Sequence, residues 1–179
     1  AMWRNTKEIP GNGIDDDRNG WIDDVYGIDA YAKDGDPMDE TGHGTHVAGT
    51  IAAVDNTTGV IGVAPGVKVM ALRFLGPNGG YVSDAVRGID YAGANGAQVS
   101  NNSWGGGGYS QALKDAIVRA GAANQLFVAA AGNSGVNTDT TINYPSCYDC
   151  PNIVSVGATD QNDQKASFSN FGQVSVDLF

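Results

Sequence analysis

Between residues 43 and 158 the sequence alternates short apolar runs with stretches of helical spacing, and this alternation constrains the fold more than any other feature. His43–Val54 reads as a small-residue helix, buried against a sheet. Val67–Leu75 reads as a strand. Val82–Ala94 has helical spacing through Ala85, Val86, Ile89 and Ala92, with Ser83 placed to cap it. Gln98–Trp104 is a strand. Ser110–Ala123 is a helix with Leu113, Ile117 and Ala120 on one face. Leu126–Ala131 and Ile153–Ala158 are apolar strands. Strands separated by helices cannot be joined by hairpins, so the pattern predicts crossovers and a mostly parallel sheet with helices on both faces. The expected fold class is α/β, doubly wound.

The length of 179 residues suits one domain, residues 1–179, with an acidic region over 1–42 and an α/β core over 43–179. The 26 glycines, about twice the usual ~7%, follow no three-residue period, so they mark turns and close backbone approaches rather than a collagen helix. No apolar run is long enough for a membrane span. Residues 1–20 are polar and lack the apolar centre of a secretory leader. The net charge of −10 excludes the basic footprint of a nucleic-acid binder and disfavours an acidic membrane surface. The acids are also crowded. Asp15, Asp16, Asp17, Asp23, Asp24, Asp29, Asp34, Asp36, Asp39 and Glu40 fall within residues 15–40, against only Arg18 and Lys33. Such crowding is self-repelling, and a bound cation relieves it.

Asp15, Asp17, Asn19 and Asp23 occupy positions one, three, five and nine of an EF-hand-type loop, with Gly20 at six. Tyr26 replaces the bidentate Glu at twelve, and Asp23 or Asp24 could supply the missing oxygen. The alternative is a solvated acidic turn. Cys147 and Cys150 form one C-x-x-C in a loop, expected as a structural disulfide or as inert thiols.

Three stretches carry chemistry. In Gly42-His43-Gly44-Thr45-His46, His43 opens a helix between two glycines, where a substrate can approach and the helix N-terminus favours the neutral, basic imidazole. His46 reads as structural, turned toward the body of the helix. In Ala129–Gly135 an apolar strand delivers Asn133 to its carboxyl end, where α/β sites lie and where an amide N–H can meet an oxyanion. Asn101–Gly108 ends a strand in a glycine run whose backbone an extended peptide could pair with.

These stretches, together with G-V-I-G-V-A-P at 59–65, N-S-W-G-G at 102–106 and A-S-F-S-N-F-G at 166–172, resemble in content and order the catalytic domain of subtilisin-like serine peptidases, the subtilases. The resemblance implies His43 as general base and Asn133 as oxyanion-hole side chain. It implies Ser103, Trp104 and Gly105 as one substrate-pairing strand, Gly79 and Gly80 as the opposite one, and Ala131 and Gly132 as a wall of the specificity pocket. It further implies calcium at the Asp15–Asp24 loop, at a second loop containing Asp29, Asp34 and Asp36, and at a third around Asn56. The family's D-T-G or D-S-G motif does not precede His43, and its G-T-S nucleophile motif does not occur. The expectation is therefore the central part of a subtilase, cut at both ends, whose bare sheet edge is covered by self-association or by rearrangement of the termini. The implied function is secreted, serine-type proteolysis of extended peptides. The alternatives are a peptide-binding module without turnover, or an ester hydrolase that recruits Ser103, Ser134 or Cys147 as a non-standard nucleophile.

Overall fold

The computed structural model describes residues 1–179, which form two compact units, Ala1–Gly88 and Ile89–Phe179. In the first unit β1 (Gly27–Asp29) pairs in parallel with β2 (Ala71–Arg73), with Gly27 opposite Ala71 and Asp29 opposite Arg73. The pairing depends on a glycine. Gly27 has φ +136°, and a Cβ there would lie 1.8 Å from the Ala71 carbonyl oxygen. The strand β1 was not anticipated, because three residues, Gly-Ile-Asp, show no periodicity. Its ends are fixed electrostatically. The carboxylate of Asp29, buried within the unit, pairs with the Arg73 guanidinium and accepts the N–H groups of Tyr31 and Ala32, both at 2.8 Å. Arg73 also donates to Glu40 at 2.6 Å and lies over the Tyr31 ring.

Helix α1 (His43–Ala52) lies between these strands in the chain. It is less enclosed than its small residues suggest. Only Ala52 is buried, and a Cβ built at Gly49 would meet nothing within 4 Å. Helix α2 (Val82–Ala94) has the expected bounds and runs from the first unit into the second. Its start differs from the expectation. The chain is already helical at Val82, and the Tyr81 carbonyl accepts the N–H groups of Asp84 and Ala85. Ser83 is therefore inside the first turn, with its hydroxyl directed to Asp84, and is not the cap.

In the second unit β3 (Val99–Asn102), β4 (Leu126–Ala130) and β5 (Ile153–Val156) form a sheet of order β3-β4-β5, parallel throughout. Helix α3 (Gln111–Ala122) makes the crossover from β3 to β4. Ser110 caps it by accepting the Leu113 N–H, and its buried face is Leu113, Ala116, Ile117 and Ala120, the predicted stripe. On β4, Phe127 and Ala129 are fully buried while Leu126 is exposed, the period-two pattern of a strand. Burying a Phe side chain contributes about 1.5–3 kcal/mol, so Phe127 is a main anchor of this core. Each strand is shorter than its apolar run, because the ladder ends where the chain leaves the sheet. The link from β4 to β5 carries no helix, and the sequence pattern marks none there. The C-terminal segment lies along β5 through a parallel bridge between Val156 and Leu178, and Asp177 accepts the Ser155 N–H at 2.8 Å. Cys147 and Cys150 are unbridged, and burial raises the Cys150 thiol pKa, which matches the inert-thiol reading. No helix is long and apolar enough to cross a membrane.

Removing Arg73 would leave the Asp29 carboxylate without its counter-charge. Breaking such a pair from one side costs about 3–5 kcal/mol. The expected result is a large fall in the urea midpoint for Arg73→Ala, and a smaller one for Arg73→Lys, which keeps the charge but not the fork.

Candidate functional site

The parallel register of the second unit sets its geometry. Asn102 stands opposite Ala129, and Ala130 stands opposite Val156, so the strands end at neighbouring levels. The segment after each strand therefore emerges at one carboxyl edge, the position where α/β sheets bind ligands. A cleft of about 260 Å³ opens there, lined by Ser103, Gly132, Asn133 and Gly157 among others. A second hollow of about 370 Å³ is lined by Trp104, Gly105, Gly132, Asn133 and Asn143. The structure thus brings together Ser103, Trp104, Gly105, Gly132 and Asn133.

Asn133 is exposed, one residue beyond Gly132. Gly132 has φ +108°, a backbone state that side chains rarely adopt, and it turns the chain off the sheet. Ala131, by contrast, is buried and lines neither hollow. Its N–H donates to the Val156 carbonyl at 2.9 Å, and its carbonyl accepts the Asn143 carboxamide at 3.1 Å. On the β3 side, buried Asn102 holds the end of the strand. Its carboxamide donates to the Ser100 and Val128 carbonyls and accepts the Trp104 indole N–H at 3.1 Å. Gly106 donates to the Tyr144 carbonyl at 3.1 Å. Tyr144 lies in a cluster with Tyr109 and Tyr148, centroids 4.4–5.6 Å apart. Asn102 and Asn143 were not assigned roles from sequence, since a lone Asn gives no spacing signal.

In the first unit His43 is the first residue of α1, as expected, and it is exposed. His46 is exposed as well and does not turn into the helix body. The preceding residue, Gly42, has no side chain with which to cap the helix. Asp39 does this instead. Its carboxylate accepts the N–H groups of Thr41, Gly42 and Thr45 at 2.8–2.9 Å and the Thr45 hydroxyl at 2.8 Å. These donors, the Thr45 N–H first, hold its pKa far below the usual carboxylate range. Gly79 and Gly80 lie in an exposed turn closed by reciprocal Gly76 and Gly79 bonds of 2.9 and 3.1 Å.

The acidic region is sorted more sharply than its spacing suggests. Glu8, Asp17 and Asp24 bring carboxylate oxygens within 4.8 Å of one another, with Glu8 and Asp24 buried. Asn5 donates to both Asp17 and Asp24 at 3.2 Å, and Asn19 donates to Asp24 at 2.8 Å. Glu8 lies outside the loop repeat and was missed for that reason. Glu8 also accepts the N–H groups of Asp16, Asp17 and Asp23, and Asp17 that of Asn19; the other candidates accept backbone N–H groups without converging on one another. Asp15 accepts the Asn19 and Gly20 N–H groups, and Asp23 accepts those of Gly11, Asn12 and Gly13. Asp34 and Asp36 accept the N–H two residues ahead, as does Asn56. Asp29 is paired with Arg73, so the second loop does not gather its carboxylates into a cluster.

Three comparisons bear on this geometry. The family model described as the subtilase family matches residues 5–179. Subtilisin DY of Bacillus licheniformis is 52% identical over 136 residues, covering 75% of this chain and 49% of its own length. Subtilisin Savinase of Lederbergia lenta is 48% identical, with the same coverage. A solved cold-adapted subtilisin-like serine proteinase superposes with a TM-score of 0.73 at 38% identity, over 86% of this chain and 53% of that one. The chain therefore spans about half the length of these relatives.

The Asp39 cap gives a stability prediction. An Asp-to-Ala change at such a cap costs about 0.5–2 kcal/mol. The folded-state pKa is depressed, so the contribution is full above the ordinary Asp value of about 4 and is lost as pH falls through the folded value. Urea denaturation should find Asp39→Ala less stable than the parent by a constant margin from pH 5 to 8, a margin that closes in strong acid.

Proposed function

Because the chain belongs to the subtilase family, we propose that it supplies the general base and the oxyanion donor of a serine-type endopeptidase. The observation that carries this reading is the placement of Asn133. It stands exposed at the carboxyl end of an apolar parallel strand, in a cleft it shares with Ser103. In this reading His43 takes the proton of the attacking hydroxyl and returns it to the leaving amine. The Asn133 carboxamide donates to the carbonyl oxygen as it becomes an oxyanion. Ser103, Trp104 and Gly105 pair with an extended peptide, with Gly79 and Gly80 as the opposite strand, and Gly132 walls the pocket.

The same reading includes calcium, held by Glu8, Asp17 and Asp24. Oxygen donors alone suit a hard cation, and close carboxylates oppose one another unless a cation lies between them. The ion would tie residue 8 to residues 17 and 24 and so brace the first unit. Family resemblance implies an extracellular setting, where calcium is abundant enough to fill even a weak site.

Two measurements test the proposal. In the full-length protein, Asn133→Leu should lower kcat by about 10²–10³ with KM little changed, the range established for removing an oxyanion-hole donor from a subtilisin. His43→Ala should abolish turnover of the same peptide substrate. Peptide binding by a parent protein that turns over no peptide would favour the binding-module reading instead. For calcium, the thermal midpoint should fall on chelation and recover on re-addition, and calcium at a hundred times its Kd adds about 2.7 kcal/mol. Asp24→Asn should remove that response.

A further inference from the structure

The loop that presents Asn133 has no regular structure of its own, yet its conformation must be fixed if one carboxamide is to meet a developing charge. Residues 168–171 run beside it. Gly135 donates to the Phe168 carbonyl at 2.8 Å, Asn170 to the Gly132 carbonyl at 2.9 Å, Phe171 to the Val136 carbonyl at 3.0 Å, and Thr138 to the Phe171 carbonyl at 2.7 Å. At the centre of this pairing is Asn170, only 2% exposed. Its carboxamide nitrogen donates to the Ala131 carbonyl at 2.8 Å. Its carboxamide oxygen accepts the N–H groups of Ser134 at 3.0 Å and Val136 at 3.2 Å.

These bonds fall on both sides of Asn133. Every side-chain bond that Asn170 makes goes to the 131–136 loop and to no other part of the chain. The fit is mutual. A Cβ on Gly132 would come within 2.5 Å of the Asn170 nitrogen, so the glycine leaves the space that the carboxamide needs. The segment bearing Asn170 is anchored in turn. Asp139 accepts the N–H groups of Gln173, Val174 and Ser175 at 2.8–3.1 Å and the Ser175 hydroxyl at 2.7 Å. Lys165 donates to the Ala166 and Ser169 carbonyls. A carboxamide that bridges a carbonyl before Asn133 and two amides after it fixes the turn while leaving Asn133 free for substrate.

We propose that Asn170 is the positioning residue for Asn133, acting through the Ala131–Val136 loop and not on substrate. The inference rests on Asn133 being the oxyanion donor. It assigns a task to the A-S-F-S-N-F-G stretch, which the sequence otherwise marks only as part of a resemblance.

The test has two arms. In the 179-residue chain, amide hydrogen exchange followed by NMR should show Ser134 and Val136 exchanging at least tenfold faster in Asn170→Ala, while amides within β4 and α3 keep their protection. Asn170→Asp retains an acceptor oxygen and should keep Ser134 and Val136 protected. Unchanged exchange at both amides in Asn170→Ala, or an equal loss across the whole sheet, would overturn the proposal. In the full-length protein, Asn170→Ala should lower kcat tenfold or more at similar KM, and should add nothing in an Asn133→Leu background. An equal further loss in that background would show a merely structural role and overturn the inference while leaving the oxyanion reading intact. Full turnover by Asn133→Leu itself would remove both.

Discussion

The parallel register of β3, β4 and β5 is the constraint on which the candidate site depends. Because the strands run the same way and end at neighbouring levels, the chain must leave the sheet at one edge each time. The departing segments, Ser103–Gly106 and Ala131–Asn133, are thereby neighbours in space without being neighbours in sequence. Each also begins with backbone groups that no longer have a ladder partner, so other groups must satisfy them. Asparagine carboxamides do part of this here: buried Asn102 donates to the Val128 carbonyl and accepts the Trp104 indole N–H, while half-buried Asn143 and buried Asn170 both donate to the Ala131 carbonyl. A carboxamide carries both a donor and an acceptor, which lets one side chain join a carbonyl on one segment to an amide on another. A carboxylate or an ammonium group could do only half of this.

The first unit uses charge in a complementary way. Its acids are crowded, yet most are engaged by N–H groups of nearby backbone, so each stabilises a turn. Asp39 on α1 is the most telling. The helix begins at a glycine that cannot cap, so a carboxylate three residues upstream of Gly42 supplies the acceptor and leaves His43 exposed. The charge also favours the positive end of the helix dipole. Glu8, Asp17 and Asp24 differ from the rest, since they converge on one another. That convergence separates a candidate cation site from a set of acidic turns, and spacing along the chain did not disclose it.

The two units therefore rely on different chemistry for a similar purpose. Segments bearing the candidate residues are held by polar side chains, Asp39 in the first unit and the asparagines in the second, while His43 and Asn133 themselves are exposed. The buried ones, Asn102 and Asn170, are costly when unpaired, so each fixes one arrangement of its loop.

The sequence alone determined the class of fold, the bounds of α2 and α3 to within a residue, and the positions of His43 and Asn133 at the ends of their elements. Period and composition carry that information, because a helix stripe or an apolar strand repeats itself over many residues. The strand β1 was not legible, since three residues have no period. Which acids cluster, what caps α1, and what holds the loop of Asn133 were decided only by tertiary structure. Each depends on residues distant in sequence that meet through a few hydrogen bonds. A single Asp39, Glu8 or Asn170 looks no different in a sequence from any other residue of its kind.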